Sequence, residues 1–417
     1  MEFGVVIFGI LFTFLIITLI IIIVSLFRKE RYGNFKPQVS IVVPCYNEWK
    51  TIQKCLEAIL NSEYPKEALE IIVVDDGSSD RTLEILREYK RKLKNFLLIE
   101  NPHQGKAASL TNGVQRASHE FILAVDADTF VAPNSLKLLV QPFQDGSIGA
   151  TNGSCLVYNT SSLLAVFQNI EYYYNNLLRK SFSTVFRNGI WFFGAFACYR
   201  KSVLEKIRYF KKDTLTEDMD IAMEIYNAGY KTVNVSTAIA YTIVPNSVNG
   251  FLRQRIRWWC GALQTLHKNR NLFSFYSNPS ILFLFVSQYW WTLYAFISLP
   301  LIAYQIYYWL PYNTTSILSL GMYIFRWMSL AGPIYVIYKI PIWGISVYSI
   351  FGVAAGVIST CLIVWAIYLY RDRITMKNAI GIFFYFIYTL LLNVTVLMST
   401  VILMLIKYGK KKRYFIK

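Results

Sequence analysis

The chain has 417 residues, of which 55% are hydrophobic and only 16% are charged. Such an apolar composition excludes an ordinary soluble protein and leaves room for one sizeable soluble domain plus several membrane-spanning helices. The net charge is +17, but the basic residues form short clusters beside apolar stretches, which favours contact with anionic lipid over nucleic-acid binding. Six cysteines without CxxC spacing, and only three histidines, argue against a zinc site or a disulfide framework.

An uncharged segment at residues 5–27 is long enough to cross a bilayer. No cationic region precedes it and no small-residue cleavage site follows, so we interpret residues 1–30 as an uncleaved transmembrane helix. Because basic residues accumulate on the cytoplasmic side, we expect an integral plasma-membrane protein whose next segment is cytoplasmic. The basic residues that follow directly are Arg28, Lys29, Arg31 and Lys36.

Strands and helices are predicted to alternate from residue 37 to residue 130. Runs of β-branched and apolar residues predict strands at 39–44, 70–74, 96–99 and 121–125. Helical apolar spacing and capping residues predict helices at 50–60, 81–94 and 106–117. For residues 37–130 the alternation predicts a parallel α/β sheet with crossover helices, as part of an α/β domain over residues 37–250. Ligands of such sheets bind beyond the carboxyl ends of the strands.

Carboxylates follow two of the predicted strands. Asp126 and Asp128 end one strand, and the alternation of side chains places both on the same face. Two hard oxygen donors suit Mg²⁺ or Mn²⁺ held partly through substrate phosphates. Asp75 and Asp76 end another strand. Helix capping accounts for residues 78–80 but not for this pair, which we interpret as hydrogen-bond acceptors for ribose hydroxyls or a pyrimidine base.

A third acidic cluster, Thr216-Glu217-Asp218, precedes a predicted helix at 219–228. Helix capping is one interpretation, and a general base for an acceptor hydroxyl is the other. The overlapping Asp218-Met219-Asp220 is a poor metal pair, because on a helix its carboxylates point to nearly opposite sides. A pocket with all these carboxylates would repel a nucleotide diphosphate, so a nucleotide-sugar would require a divalent cation. Lys106 and Arg257 would supply the remaining positive charge.

Residues 251–275 are amphipathic and contain the pentad Gln254-Arg255-Ile256-Arg257-Trp258. A guanidinium grips phosphate and an indole stacks on sugar rings, so the pentad indicates phosphate and carbohydrate binding at a membrane surface. Anchoring of Arg257 and Trp258 in the membrane interface is the alternative. The arginines and Lys268 oppose apolar residues, which predicts a helix lying in the interface.

Four apolar stretches follow within residues 280–408. They lie at about 281–309, 315–338, 343–370 and 379–406. If all four span, the chain crosses five times and the basic run 410–413 is cytoplasmic, as the charge rule favours, although Arg371 and Arg373 then lie outside.

The stretch 315–338 is the weakest of the four, because it contains Arg326 and Pro333. A re-entrant segment is the alternative there. An arginine within the membrane is costly and usually faces a polar path or a headgroup. We therefore interpret Arg326 either as lining a channel or as reaching to an interface.

Five motifs in order, each unspecific alone, make a specific set. They lie at 44–48, 75–78, 126–128, 216–218 and 254–258. The set resembles the membrane-embedded processive family-2 glycosyltransferases, which are the cellulose, chitin, hyaluronan and poly-N-acetylglucosamine synthases, and is most similar to the last. The resemblance implies a GT-A (Rossmann-like) cytoplasmic domain with an α-helical transmembrane region, a UDP-sugar donor and inversion at the anomeric carbon.

The resemblance also implies roles for individual residues. Asp218, with Glu217 beside it, would be catalytic, and Asp126 and Asp128 would hold Mg²⁺ or Mn²⁺. The acceptor would contact Phe193, Gly194 and Trp258. The nucleotide-sugar would contact Tyr46, Glu48, Asp75, Asp76, Lys106, Asp126, Gln254 and Arg257.

The predicted function is processive polymerisation of a UDP-sugar, with UDP-N-acetylglucosamine the expected donor, into a β-linked polysaccharide that moves across the membrane. The partners would be the UDP-sugar, the growing polysaccharide or a lipid acceptor, and the bilayer, with no nucleic acid. The alternative is transfer of one sugar to a membrane lipid, but enzymes that make polyprenyl-phosphate sugars generally lack the Gln-x-x-Arg-Trp element. A transporter or scaffold with an inactive transferase domain is more remote, because every expected polar residue is present.

Overall fold

The computed structural model describes residues 2–28, 33–189, 192–308, 310, 316–370 and 372–408. These residues form a β-sheet flanked by helices and joined to a bundle of long apolar helices. The predicted membrane orientation depends partly on residues that lie outside the described ones, namely Lys29, Arg31, Arg371 and the run 410–413.

The described residues contain eight strands that join into one sheet. In chain order the strands are β1 (Val39–Cys45), β2 (Leu69–Asp75), β3 (Phe96–Glu100), β4 (Phe121–Val125), β5 (Thr129–Val131), β6 (Ile148–Val157), β7 (Phe196–Arg200) and β8 (Lys231–Thr242). Their order across the sheet is β3-β2-β1-β4-β7-β6-β8-β5. β1 pairs in parallel with β2 and β4, and β2 pairs in parallel with β3, as the sequence predicts.

Beyond these four strands the sheet is mixed, in a region for which the strand–helix alternation made no prediction. β7 is antiparallel to both β4 and β6, and β5 is antiparallel to β8. Antiparallel neighbours need no crossover helix between them. The strand–helix alternation that predicted the parallel half therefore says nothing about the strands after residue 130.

An N-terminal helix, α1 (Glu2–Leu26), precedes the sheet, and eight further helices lie between β1 and residue 270. They are α2 (Ile52–Leu60), α3 (Thr82–Lys92), α4 (Lys106–Arg116), α5 (Ser135–Leu139), α6 (Leu163–Phe186), α7 (Lys201–Lys206), α8 (Glu217–Asn227) and α9 (Val248–Lys268). The inner strands are buried on both faces, which explains why they are almost continuously apolar. Ile41 packs in a cluster with Ile52 of α2, and its neighbour Val42 packs in another with Val114 of α4.

Six helices follow in the C-terminal third. They are α10 (Pro279–Tyr308), α11 (Ile317–Trp327), α12 (Ala331–Trp343), α13 (Val347–Leu369), α14 (Met376–Phe383) and α15 (Tyr385–Tyr408). Four helices of the described chain, α1, α10, α13 and α15, are long and apolar enough to cross a membrane. These helices indicate a membrane protein.

The predicted stretch 315–338 is not one helix. α11 and α12 meet at a bend of 103°, so the described residues contain four candidate spans, or five if the bent pair counts as one span. The bend is compatible with both interpretations of this stretch, a broken span and a re-entrant segment. The predicted stretch 379–406 also divides, because α14 ends at Phe383 before α15 begins.

Two helices join the sheet to the membrane bundle. α6 packs on β6 and β8 and also on α1, α13 and α14. α9 packs on α8 and on α15, and Trp259 donates a hydrogen bond from Nε1 to Thr292 of α10 at 3.2 Å. The prediction that Arg255 lies on a polar face of α9 is wrong, since it is buried against α6 and α15. One face of α9 is thus covered by protein.

Candidate active site

The sheet topology brings the predicted carboxylates to one edge. β1, β2 and β4 are parallel neighbours, so the ends that carry Asp75, Asp76, Asp126 and Asp128 open on the same side. We refer to these four residues as the carboxylate edge. The structure thus places the two acidic motifs of the parallel half together, as their positions at strand ends predict.

Lys106 is the cation at the centre of this edge. It is the first residue of α4, and its Nζ lies 2.6 and 2.8 Å from the two carboxylate oxygens of Asp126 and 3.0 Å from Oε1 of Glu217. Burial would lower the pKa of Lys106, but the charges of Asp126, Glu217 and Asp218 raise it above its ordinary value. Lys106 is therefore charged and links the end of β4 to the start of α8.

Asp128, in contrast, forms no ion pair with any described residue. Burial, reinforced by the charges of Asp126 and Glu48, raises the pKa of Asp128 to about 7. Burial likewise raises the pKa of Glu48, whose carboxylate accepts a hydrogen bond from the Thr51 hydroxyl at 2.6 Å. The pocket therefore has more negative charge than its own cations balance.

This donor set fits a hard divalent cation. Asp126 and Asp128 offer carboxylate oxygens, which Mg²⁺ and Mn²⁺ prefer, in a place short of positive charge. Among the described residues no three His, Cys, Asp or Glu side chains are arranged to hold an ion. A cation on Asp126 and Asp128 would thus need substrate phosphates to complete its coordination.

Asp218 is held in one orientation by backbone groups. Its Oδ2 accepts from the N–H of Gly194 at 3.0 Å, and its Oδ1 accepts from the N–H of Met219 at 2.8 Å. A Cβ at Gly194 would lie 2.5 Å from the Asp218 Cβ, so only glycine allows this approach. Two residues predicted for different roles, base and acceptor pocket, are therefore in direct contact.

The pKa values of the two neighbouring acids of α8 are shifted in opposite directions. Burial and the charge of Glu217 raise the pKa of Asp218. Burial would also raise the pKa of Glu217, but the charge of Lys106, with a contribution from Arg257, lowers it. Residues whose pKa values are pushed apart in this way are suited to different roles, one electrostatic and one in proton transfer.

Asp220 points away from Asp218, as the helical spacing predicts. It is 1% exposed, and its carboxylate contacts Lys268 Nζ at 2.7 Å and Asn269 Nδ2 at 3.4 Å. Asp220 therefore joins α8 to the end of α9. It takes no part in a metal pair with Asp218.

Asp76 is buried, and both of its carboxylate oxygens accept hydrogen bonds from the loop before α4. Its oxygens accept from the backbone N–H of Gln104 at 2.9 Å and of Gly105 at 2.8 Å, and His103 Nδ1 lies 2.8 Å from Oδ2. The ring of His103 stacks on exposed Tyr46, with centroids 4.2 Å apart. Tyr46 and Asp76, both predicted to contact the uridine, thus lie on either side of His103, which the sequence analysis missed.

Asp75 is also buried. Its Oδ2 accepts from the N–H of Ser78 at 3.1 Å, whereas Oδ1 has no hydrogen-bond partner among the described residues. The Ser78 hydroxyl accepts from the backbone N–H of Asn47, and the Ser79 N–H donates to the Asn47 side chain, both at 2.9 Å. The prediction that these serines cap α3 is wrong, and only Asp80 accepts from its first turn, from Thr82.

α9 brings the rest of the pentad to the same cavity. Gln254, Arg257 and Trp258 line it, and Oε1 of Gln254 is buried without a partner among the described residues. Phe193 also lines the cavity, with its ring edge-on to Tyr172 at 6.0 Å. The structure thus brings the predicted nucleotide-sugar, acceptor and catalytic residues of α8, α9 and the 193–194 segment around one space.

The cavity has a volume of about 2510 Å³ and extends from the carboxylate edge to the membrane helices. At its far side Arg326 lines it and stacks on Tyr335 of α12, with Cζ 3.8 Å from the ring centroid. Asn393 of α15 also lines it. Arg326 therefore faces the cavity, in agreement with the interpretation that it borders a path.

Sequence reasoning missed a second set of polar residues on the cavity wall. Glu171 of α6 forms a buried ion pair with Arg255 of α9, and both bond to Tyr388 of α15. Arg179 of α6 lies buried over the ring of Phe193. An acid and an arginine in α6 and an arginine in α9 were the available signal, but the partners are far apart in sequence.

Known proteins match both the sequence and the fold. Residues 40–208 match the family model described as Glycosyl transferase family 2. These residues are therefore similar to a family 2 glycosyl transferase domain. Asp218 and the pentad lie beyond the matched residues of that domain.

Two curated relatives are similar to this chain in sequence. A poly-beta-1,6-N-acetyl-D-glucosamine synthase of Staphylococcus epidermidis is 31% identical over 237 residues, which are 55% of this chain and 55% of that protein. The synthase of the same name from Staphylococcus aureus strain COL is 32% identical over 251 residues, 57% of this chain and 60% of that protein. The match thus spans little more than half the length of these relatives.

A solved structure resembles the transferase domain and the apolar helices together. It is a mannosyltransferase from Pyrobaculum calidifontis in complex with GDP-Man and Mn²⁺, with a TM-score of 0.59 and 18% identity. The likeness covers 95% of this chain and 98% of that one. With the family match, it confirms the predicted GT-A fold of the transferase domain.

Proposed function

We propose that the protein is a membrane-embedded inverting glycosyltransferase that polymerises UDP-N-acetylglucosamine into a β-linked polysaccharide and passes the product into the membrane bundle. The names of the curated relatives support N-acetylglucosamine as the sugar. The apolar helices support a membrane location, and the charge rule supports a cytoplasmic transferase domain.

One observation carries the proposal. A single cavity is lined both by Asp126 and Asp218 of the transferase domain and by Arg326 and Asn393 of the membrane helices. A polymer made at the carboxylates would enter the bundle without leaving that space. An enzyme that released a soluble product would have no need of such a continuous space.

The donor would lie along the carboxylate edge. Tyr46 and Asp76 would bind the uridine, and Lys106 and Arg257 would face the diphosphate. Asp126 and Asp128 would hold Mg²⁺ or Mn²⁺, whose charge would offset that of the diphosphate. The unpaired oxygens of Asp75 and Gln254 support this placement, because a buried acceptor without a partner is costly unless a ligand completes it.

Asp218 would act as the base. It would take the proton of an acceptor hydroxyl, whose oxygen then attacks C1 of the donor sugar through an oxocarbenium-like transition state. The bond between C1 and the β-phosphate oxygen breaks, and UDP leaves with the electron pair. Attack on the face opposite UDP inverts the anomeric carbon. Phe193 and Trp258 would hold the acceptor sugar.

The test is to incubate the purified protein in lipid nanodiscs with labelled UDP-N-acetylglucosamine, UDP-glucose or UDP-glucuronate and to size the products on a gel. We expect a polymer from UDP-N-acetylglucosamine and none from Asp218→Asn. Polymer from a different donor would overturn the sugar assignment. Products one sugar longer than the acceptor would overturn processivity, and no transfer from any donor would overturn the function.

A second candidate is transfer of one sugar to a membrane lipid. The membrane side of the cavity is lined by apolar residues such as Leu11 of α1 and Leu301 and Ile302 of α10, which could hold an acyl or prenyl chain. In the same assay this enzyme would give a single product that extracts into organic solvent. The pentad, with its sugar-stacking Trp258, favours the polymer.

A further inference from the structure

Three side chains from distant parts of the chain form one buried polar unit beside the cavity. Nη1 of Arg255 lies 2.7 Å from Oε1 of Glu171, and its Nη2 donates to the hydroxyl of Tyr388 at 3.2 Å. The Tyr388 hydroxyl in turn donates to the other oxygen of Glu171. We refer to Glu171, Arg255 and Tyr388 as the wall triad.

Each side chain of the triad bonds to the other two, and all three are largely removed from water. The side chains of Arg255 and Glu171 are 7% and 13% exposed, and Tyr388 is fully buried. A buried ion pair contributes little net stability against an apolar replacement of the same shape, but its geometry is strongly restricted. A group packed against such a pair is therefore held in one place.

Trp258 is packed against the triad. The guanidinium of Arg255 lies 4.6 Å from the Trp258 ring centroid, and the two residues are one helical turn apart on α9. Phe251 contacts the same guanidinium at 5.2 Å. The triad thus occupies one face of the indole, while Trp258 also lines the cavity that contains Asp218.

We propose that Glu171, Arg255 and Tyr388 are positioning residues that fix the Trp258 ring as the platform for the acceptor sugar. This rests on the proposed function, in which Trp258 stacks on the acceptor. Because Tyr388 belongs to α15, the platform is tied to a helix that also lines the membrane part of the cavity. None of the triad's polar contacts among the described residues reaches the carboxylate edge, so the triad acts on acceptor binding and leaves donor binding unchanged.

This division gives a measurable signature. Loosening the triad raises the KM for the acceptor and lowers transfer, while hydrolysis of the donor by water, which needs no platform, continues. A residue that only holds the fold together would lower both rates in parallel. Comparing transfer with hydrolysis therefore separates positioning from stability.

The test variant is Tyr388→Phe, which removes one hydroxyl and keeps the ion pair. The matched control is Tyr385→Phe, one turn earlier on α15, where the ring contacts Tyr388 at 5.5 Å and no described residue bonds the hydroxyl. In nanodiscs, with labelled UDP-N-acetylglucosamine and a short acceptor, we expect Tyr388→Phe to raise the acceptor KM about tenfold. Hydrolysis should stay within about twofold for both variants, and Tyr385→Phe should keep its acceptor KM.

A second comparison places the effect at Trp258. If the triad acts through this ring, Tyr388→Phe should change the acceptor KM little when Trp258→Phe is already present, as expected for coupled residues. Additive losses, equal effects of the two tyrosine variants, or parallel loss of hydrolysis would each overturn the positioning role. A wild-type protein that transfers no sugar would instead overturn the proposed function.

Discussion

The carboxylate edge and the wall triad both contribute residues to the lining of one cavity but are built in different ways. On the edge, Asp76 follows β2 and its oxygens accept from the N–H groups of Gln104 and Gly105, which follow the neighbouring parallel strand β3. In the triad, Glu171 and Tyr388 are separated by 217 residues. The edge is made by the local topology of parallel strands, whereas the triad exists only when membrane helices pack on the domain.

The two regions also differ in charge. Asp126 and Asp128 give the edge more negative than positive charge. Burial and the charges of Asp126 and Glu48 raise the pKa of Asp128. In the triad, Arg255 and Glu171 neutralise each other. The edge is thus suited to charged ligands such as a metal diphosphate, and the triad to a neutral sugar on an aromatic ring.

The largest expected effect lies where the two regions meet, at Asp218. Asp218→Asn keeps the hydrogen-bonding shape but removes the base, so transfer from UDP-N-acetylglucosamine should fall about 10³-fold. The control is Asp220→Asn on the same helix, which should transfer normally once folded, although its bond to Lys268 is weakened. Initial rates in nanodiscs check both variants. Normal transfer by Asp218→Asn would place the base elsewhere.

Gly194→Ala should have the next largest effect. The new Cβ would lie 2.5 Å from the Asp218 Cβ, so the carboxylate must shift, and a misplaced group costs about 100-fold in kcat. Gly146→Ala is the matched control, since nothing lies within 4 Å of its added Cβ. Equal turnover of the two variants would show that the position of Asp218 does not limit the rate.

Metal removal tests the edge alone. Chelation by EDTA should abolish transfer, and Mn²⁺ or Mg²⁺ should restore it. Asp128→Asn should raise the Mn²⁺ concentration for half-maximal rate at least about tenfold. Asp145→Asn, a carboxylate outside the cavity lining, should leave the Mn²⁺ titration unchanged. Full activity in EDTA would remove the metal from the proposal.

The pH dependence of kcat/KM sharpens the assignment of Asp218. Burial and the charge of Glu217 raise its pKa, and a base works only when deprotonated. As the pH is lowered, kcat/KM should therefore begin to fall at a pH above the ordinary aspartate pKa of about 4. An acid limb within the ordinary range would contradict a buried base at this position.

The smallest expected effect concerns the loops behind the edge. Asn47 has a positive φ of 55° and accepts from the N–H of Ser79. Asn47→Ala loses this bond and strains the backbone, which should lower Tm by about 4 °C. Asn47→Gly relieves the strain and should lose roughly half as much. Equal Tm values for both variants would exclude backbone strain as a cause.

The edge was largely predictable and the triad was not. Strand ends, β-branched runs and the positions of Asp75 and Asp126 indicated a parallel half-sheet with carboxylates on one side. The antiparallel strand β7 could not be predicted from the sequence, because short apolar strands lack a distinct pattern. Arg255 was assigned to a polar helix face, because helical spacing cannot reveal a partner acid on a distant helix. The contact of Gly194 with Asp218 likewise depends on long-range folding.

The bend between α11 and α12 has a consequence for motion. A broken helix in a membrane leaves backbone groups that must be satisfied within the protein. Here the N–H of Leu330 donates to the carbonyl of Phe383 at 2.9 Å, where α14 ends, and the rings of Phe325 and Phe383 lie 5.7 Å apart. A hydrogen bond thus connects the break between α11 and α12 to the break between α14 and α15. If the cavity widens at one of these breaks, the helices at the other break must move as well.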